Sequence, residues 1–320
     1  MNTLIHDLLN LTRGYINCYL TIDIGNRFTD AVWVVGDGRS GTTWLANILN
    51  YNKKYRYMFE PFHPRLVEIM KDYPLYYYLR PDEDNAYFYK IYRAIFRGNF
   101  RYPRVDQYNY KFIYRKRIVK DIFSNLYIKW AHTKFPSVKK IFIMRHPFAV
   151  VASKIKLKNW IWMEDPKMFL SQEKLYKDYL KHFEDVIQCA DDFFEKQMVI
   201  WAIVHHIPLH QLDLGDVYLM FYEKLCTNPQ EEIKRLFSFI GEGESTDNRL
   251  YKKFKKPSQT CHNESAILKN SNLIDGWRRV LSDSQIKRGI NILSKFGLEK
   301  IYNYSLMPDE SAAEDILKRK

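Results

Sequence analysis

Short apolar runs rich in β-branched residues alternate along this chain with segments whose apolar positions recur at helical spacing. Ala31 to Val35 (AVWVV) is the first such run; a glycine-rich loop follows it, then Thr42 to Asn50 with a helical pattern, so strand, loop and helix are expected in that order. An aromatic run ending at Phe59 reads as another strand, stopped by Pro61. Arg117 to Ile122, Lys140 to Met144 (KIFIM) and Val217 to Tyr222 supply further strands. Between them, Ser124 is placed to cap a helix running through Phe135, Pro147 fits the first turn of a helix reaching about Lys156, and helical patterns cover about Ser171 to His205 and Pro229 to Ile240. Strands separated by helices imply an α/β fold in which a P-loop-type parallel sheet is flanked by helices on both faces, with ligands at the carboxyl ends of the strands. No repeat, low-complexity segment or Gly/Ser/Pro-rich linker divides the chain. The expected organisation is an N-terminal extension over 1–30, one domain over 31–305 and a polar, loosely held C-terminal tail over 306–320.

Composition agrees with one large core: 320 residues, 46% hydrophobic, with 20 Phe and 24 Tyr. Cys18, Cys189, Cys226 and Cys261 are scattered without a C-x-x-C pair, so free thiols, a reducing compartment and no structural metal are expected. Polar residues interrupt the first 25 positions too often for a signal peptide or a membrane span, and a soluble, cytoplasmic protein is expected. The net charge of +13 calls for an acidic partner, whether nucleic acid, a membrane surface or a small anion. Cations gather between Lys90 and Lys120, where Asp106 is the sole acid and tyrosines are interleaved; this reads either as a solvated face or as a lip that attracts an anion. No nucleic-acid-binding module is evident.

The chemistry begins in the loop Val34 to Leu45, VVGDGRSGTTWL. Gly36 and Gly41 have the spacing of a nucleotide-binding P-loop and Thr43 takes the hydroxyl position, but Thr42 stands where the lysine would be. The next apolar strand, where an NTPase places a metal-holding aspartate, ends in Arg145. Both departures point to a nucleotide with a short anionic chain, held by amides, hydroxyls and arginine without a metal.

These residues resemble the sulfotransferases that use 3′-phosphoadenosine 5′-phosphosulfate (PAPS). Arg39-Ser40-Gly41-Thr42-Thr43-Trp44-Leu45 is similar to that family's phosphosulfate loop, and Arg145 with Ser153 eight residues later is similar to its 3′-phosphate pair. Tyr222-Glu223-Lys224-Leu225 with Pro229, and Gly276-Trp277-Arg278, are weaker likenesses. The resemblance implies cofactor contacts from Arg39, Ser40, Gly41, Thr42, Thr43, Trp44, Arg145 and Ser153, with Trp277 and the polar loop residues Lys256 and Ser258 closing over the nucleotide. Trp44 and Trp277 suit adenine stacking or core packing.

Sulfuryl transfer needs a base for the acceptor's proton and a cation for the leaving oxygen. Phe59-Glu60-Pro61-Phe62-His63 resembles the glutamate-proline segment of carbohydrate sulfotransferases, whose glutamate is the base, which favours Glu60. His63 is the rival, and Asp121 stands where the phenol-type members carry a histidine. Lys120 or Arg39 would stabilise the leaving oxygen. His205 and His206 lack further metal ligands and read as structural. A variable cap over about 64–116, including YPLYYY (Tyr73 to Tyr78), would cover the acceptor. The resemblance therefore implies transfer from PAPS to a hydroxyl or amine of a glycan, glycolipid or small natural product. A non-catalytic polyanion- or nucleotide-binding module and a P-loop kinase are the alternatives.

Overall fold

In the computed structural model, residues 2–157, 160, 162–243, 247–254 and 273–318 are described. A five-stranded, wholly parallel sheet is built from β1 (Ala31–Val35), β2 (Tyr55–Phe59), β3 (Lys116–Asp121), β4 (Lys139–Met144) and β5 (Tyr218–Phe221), in the order β2-β3-β1-β4-β5. The principal helices are α1 (Asn2–Leu20), α2 (Thr42–Leu49), α3 (Ala86–Phe96), α4 (Pro147–Lys156), α5 (Phe193–Gln211), α6 (Asp283–Lys295) and α7 (Glu310–Lys318).

The strand period of two divides the core. Ala31, Trp33 and Val35 of β1 face a large cluster that α3, α4, α5 and α7 complete, while Val32 and Val34 face a smaller one closed by α2 and the helix Pro229–Phe239. Both faces of the central strand are apolar, hence its continuous run. Trp33 is fully buried, ringed by Phe62, Tyr92, Phe96 and Tyr127 at centroid distances of 5.5–6.4 Å. All five strands end on one edge of the sheet, and Gly36, Glu60, Ile122, Arg145 and Tyr222 are the residues that leave it.

The basic run between Lys90 and Lys120 divides between interior and solvent. Arg56 of β2 and Arg117 of β3 are cross-strand partners with fully buried side chains, a like-charge pairing that would be unfavourable alone. Asp106 offsets Arg56 through bonds of 2.8 and 2.9 Å, and Asp23 offsets Arg117 through bonds of 2.9 and 2.8 Å. Lys90, Arg93, Lys111 and Arg115 remain exposed.

Three expectations change. Ser124 does not cap the helix expected through Phe135: its hydroxyl bonds the Tyr127 hydroxyl (2.7 Å), and the α-helix begins only at Ile128 after a single turn over Asn125–Tyr127. The helical stretch from Ser171 is broken into short turns and restarts at α5, because the Asp192 side chain accepts from the Glu195 N–H (2.8 Å) and starts a new helix. The C-terminal segment is docked: α7 buries Ala313, Ile316 and Leu317, whose spacing makes one apolar stripe. At the other end, the extension comprises α1 and a two-residue parallel ladder in which Ile22 pairs with Ile113.

Candidate active site

The loop after β1 is shaped for an anion. Gly41 has φ +92°, and a Cβ there would meet the Tyr222 ring at 2.6 Å, so both conformation and space require glycine. Arg39 also adopts the left-handed region (φ +75°). Left-handed residues on either side of Ser40 form the kind of turn in which successive N–H groups converge on an anion, and α2 begins directly afterwards. Ser40 is fully buried and its Oγ finds no partner among the described residues. The buried Nε of Arg145 is likewise unpartnered there. Orphaned donors of this type suit phosphate or sulfate oxygens.

Arg145 and Ser153, read from a spacing of eight, meet the loop in space. Arg39 Nε donates to Ser153 Oγ (3.0 Å), and an Arg145 guanidinium N–H donates to the Arg39 carbonyl (3.0 Å). The Arg145 guanidinium lies over the Tyr222 ring, 4.1 Å from its centroid. The next residue, Glu223, accepts from the His146 N–H (2.8 Å) and from the Tyr302 hydroxyl (3.1 Å), fixing the strand end that carries Arg145. Burial pushes the Glu223 carboxyl upward.

On the neighbouring strands a second group forms. Glu60 (φ +51°) accepts from Lys120 Nζ at 2.6 Å on one oxygen and from Arg104 at 2.7 Å on the other, and is 5% exposed. A non-glycine residue in this conformation stores about 1–3 kcal/mol of strain, held here by the ion pairs and by its N–H donating to the Lys120 carbonyl (2.7 Å). Burial drives the Glu60 carboxyl upward, but Lys120 and Arg104 outweigh it and hold the group below its ordinary value. Asp121 accepts from the N–H groups of Phe62, Ile122 and Phe123 and so shapes the turn around Glu60; burial first, and Glu60 second, raise it to about 6. His63 packs edge-on to Phe123 and Trp162, and its Nδ1 accepts from the Arg65 N–H (3.2 Å).

Sequence patterning missed a buried triad beneath the loop. Asp37 receives Lys154 Nζ at 2.8 Å and the Tyr76 hydroxyl, with Asp37 and Lys154 side chains fully buried. Burial, then Asp37 itself, raises the Tyr76 phenol far upward, so it stays a donor. Tyr76 is another left-handed residue (φ +52°). Lys154, set between Ser153 and Ile155 in the largely apolar helix PFAVVASKIK, was the available signal. Nothing distinguished Arg104 from its basic neighbours.

The aromatic candidates sit in the core. Trp44 packs against Tyr222 and Phe254, and Trp277 stacks on His146 (5.0 Å) and leans on Phe148 (5.1 Å), both 3% exposed. Lys256 and Ser258 lie outside the described residues. His205 is held by the Trp201 carbonyl (2.7 Å) and stacked on the Trp201 ring. Among the described residues no three His, Cys, Asp or Glu side chains converge as a metal site.

Burial lowers His63, His146 and His205 to about 4 each. The unfolded chain binds their protons below about pH 6.5 while the folded chain does not, so stability is present above that value and is lost as pH falls from about 6.5 toward 4. Each histidine contributes a slope of about 1.4 kcal/mol per pH unit in this window. Urea unfolding at pH 7 and pH 5 should show the decline; equal stabilities would mean these rings are protonated in the fold.

The chain matches the family model of the sulfotransferase domain over residues 29–291. It belongs to the sulfotransferase family. No curated protein matches it. Among solved structures this sulfotransferase is similar to mouse sulfotransferase SULT7A1 complexed with PAP (15% identity, 89% of this chain and 90% of that one, TM-score 0.42). It is similar also to the sulfotransferase domain from the curacin biosynthetic pathway (15%, 86% and 98%, 0.45) and to sulfotransferase STF9 from Mycobacterium avium (12%, 86% and 76%, 0.42). The domain match spans every candidate site residue from Arg39 to Trp277, including Lys256 and Ser258.

Proposed function

We propose that this sulfotransferase moves a sulfuryl group from PAPS to a hydroxyl, or an amine, of a glycan, glycolipid or small natural product, leaving adenosine 3′,5′-bisphosphate. The observation that carries the donor assignment is the convergence of Arg39, Arg145 and Ser153 on one loop despite more than a hundred intervening residues. The orphaned Ser40 Oγ and Arg145 Nε fit an anion-bearing nucleotide. PAPS supplies the activated sulfuryl group. Ser40, Thr42 and Thr43 with the α2 amides would hold its 5′ end, and Arg145 with Ser153 its 3′-phosphate. The acceptor's proton goes to the Glu60 carboxylate. Lys120 bonds Glu60 through Oε1; when its ammonium turns to a developing negative oxygen, Glu60 loses its strongest opposing cation and gains proton affinity. The glycan or glycolipid preference rests on FEPFH. The three unpaired thiols among the described residues, Cys18, Cys189 and Cys226, support a reducing, cytoplasmic setting.

Calorimetric titration with adenosine 3′,5′-bisphosphate, beside AMP and ATP with magnesium, tests the donor site. Binding that disappears with the 3′-phosphate is expected; equal or absent binding would return the loop to a general polyanion site. Arg145→Ala should weaken bisphosphate binding by about 1.5–3 kcal/mol, roughly ten- to a hundredfold. Unchanged affinity would remove Arg145 from the site.

A further inference from the structure

Over residues 9–20, the side of α1 that faces the protein is its polar side. Asn10, Gly14 and Asn17 are buried, whereas Leu9, Leu11, Tyr15, Ile16, Tyr19 and Leu20 face solvent, Tyr19 with 84% exposure. Specific contacts fix this orientation. A Cβ at Gly14 would lie 2.2 Å from the Pro103 carbonyl oxygen, and Asn17 Nδ2 donates to the carbonyls of Asp106 and Asn109 at 3.0 Å each. The helix therefore inverts the usual surface arrangement, in which the apolar stripe turns inward.

The apolar face continues beyond the helix. Ile22 and Ile113 are ladder partners and both are exposed, at 55% and 60%; Phe112 beside them is 52% exposed. Arg13 and Lys53 both sit over the exposed Tyr110 ring, at 5.3 and 3.5 Å from its centroid, joining α1 to this second patch. Lys111 and Arg115 extend the cationic rim. From Leu9 to Ile24 and from Tyr110 to Lys116 the only carboxylate is Asp23, whose side chain is fully buried against Arg117.

We infer that this face rests on an anionic lipid bilayer, with α1 lying in the interface. Leucine and isoleucine with tyrosine and phenylalanine, ringed by arginine and lysine, is the composition that enters the headgroup boundary and meets negative lipids. Among the described residues no helix is long and apolar enough to cross a membrane, so α1 lies on the surface. A second copy of the chain is the poorer occupant, because a symmetric pairing would set Arg13, Lys53, Lys111 and Arg115 against themselves, while Glu242, the carboxylate beside Lys54 and Lys116, is already committed to those two lysines. Gly14 meets Pro103 and Asn17 meets Asp106, while Arg104 reaches Glu60 and Asp106 reaches Arg56. The short helix Pro103–Asp106 thus links α1 to the strand that leads into Glu60. The docking face stands whether or not the chain uses PAPS.

The test is co-sedimentation of the full chain with vesicles of phosphatidylcholine carrying phosphatidylserine, and with vesicles of phosphatidylcholine alone. Partition into the anionic vesicles is expected to exceed that into neutral ones by about tenfold or more and to fall with added salt. Ile16→Asp and Tyr19→Asp should each lower it by about tenfold or more, and R13E combined with K53E should abolish the lipid preference; an unchanged urea midpoint shows that the fold is intact. No partition into anionic vesicles, or partition that these variants leave intact, overturns the inference. So does a dimer in sedimentation velocity that Ile16→Asp dissociates, which would give the face to a second copy.

Discussion

Glu60→Gln is expected to lower kcat by about a hundredfold or more while leaving the affinity for adenosine 3′,5′-bisphosphate within about twofold. The substitution keeps the shape of the side chain and removes its ability to take a proton. In the resting protein the carboxylate is held by Lys120 and Arg104 below its ordinary value, so it is ionised at neutral pH and available, but a weak base while it stays paired with Lys120. The acid limb of the rate should accordingly fall below pH 4.5 in the free enzyme. Steady-state kinetics with any accepted hydroxyl substrate reads both quantities. If turnover survives within a few-fold, the base lies elsewhere. His63→Asn then becomes decisive, since His63 is neutral at pH 7 and couples to Glu60, whereas the Asp121 oxygens are committed to three backbone N–H groups.

Asp106→Asn is expected to cost about 3–5 kcal/mol of folding stability, because it strips the buried Arg56 of its bidentate partner. Arg56 would keep the carbonyls of Gly98 and Phe100, at 2.8 and 2.6 Å, but its remaining carboxylate, Asp23, is 3.7 Å away and already committed to Arg117. Combining Asp106→Leu with Arg56→Met should recover part of the loss, since it removes both buried charges together. Urea denaturation measures the difference. A loss below about 1 kcal/mol would mean that Asp23 neutralises both arginines or that solvent reaches the pair.

Much of the scaffold was readable because alternation and helical spacing report directly on burial. The strand expected over Arg117 to Ile122 is observed over Lys116–Asp121, and the residues chosen at strand ends lie on one edge of one sheet. The buried charges were not readable. Arg56 and Arg117 look like solvated cations until their partners arrive from 50 and 94 residues away, and no local period encodes that. The same limit hid Arg104, which reaches Glu60 across 44 residues, and the tyrosine bonded to Asp37. α1 was opaque for the opposite reason: its mixed pattern has a polar side, but which side turns inward was decided by Asn17 and Gly14 fitting the backbone near Pro103.

The tie between Asp37 and Tyr76 bears on how this enzyme could be re-engineered. Asp37 belongs to the loop proposed to hold the donor, and Tyr76 to the segment proposed to cover the acceptor, so the two halves share one buried carboxylate with Lys154 beneath. A cap transplanted from another member to change acceptor preference would have to bring a hydroxyl donor to this spot. Without it, Asp37 would keep a single buried partner, and the graft would disturb the very loop it was meant to leave alone. Chimeras cut on either side of Tyr76 while retaining it have the best prospect of altering selectivity without loss of donor binding.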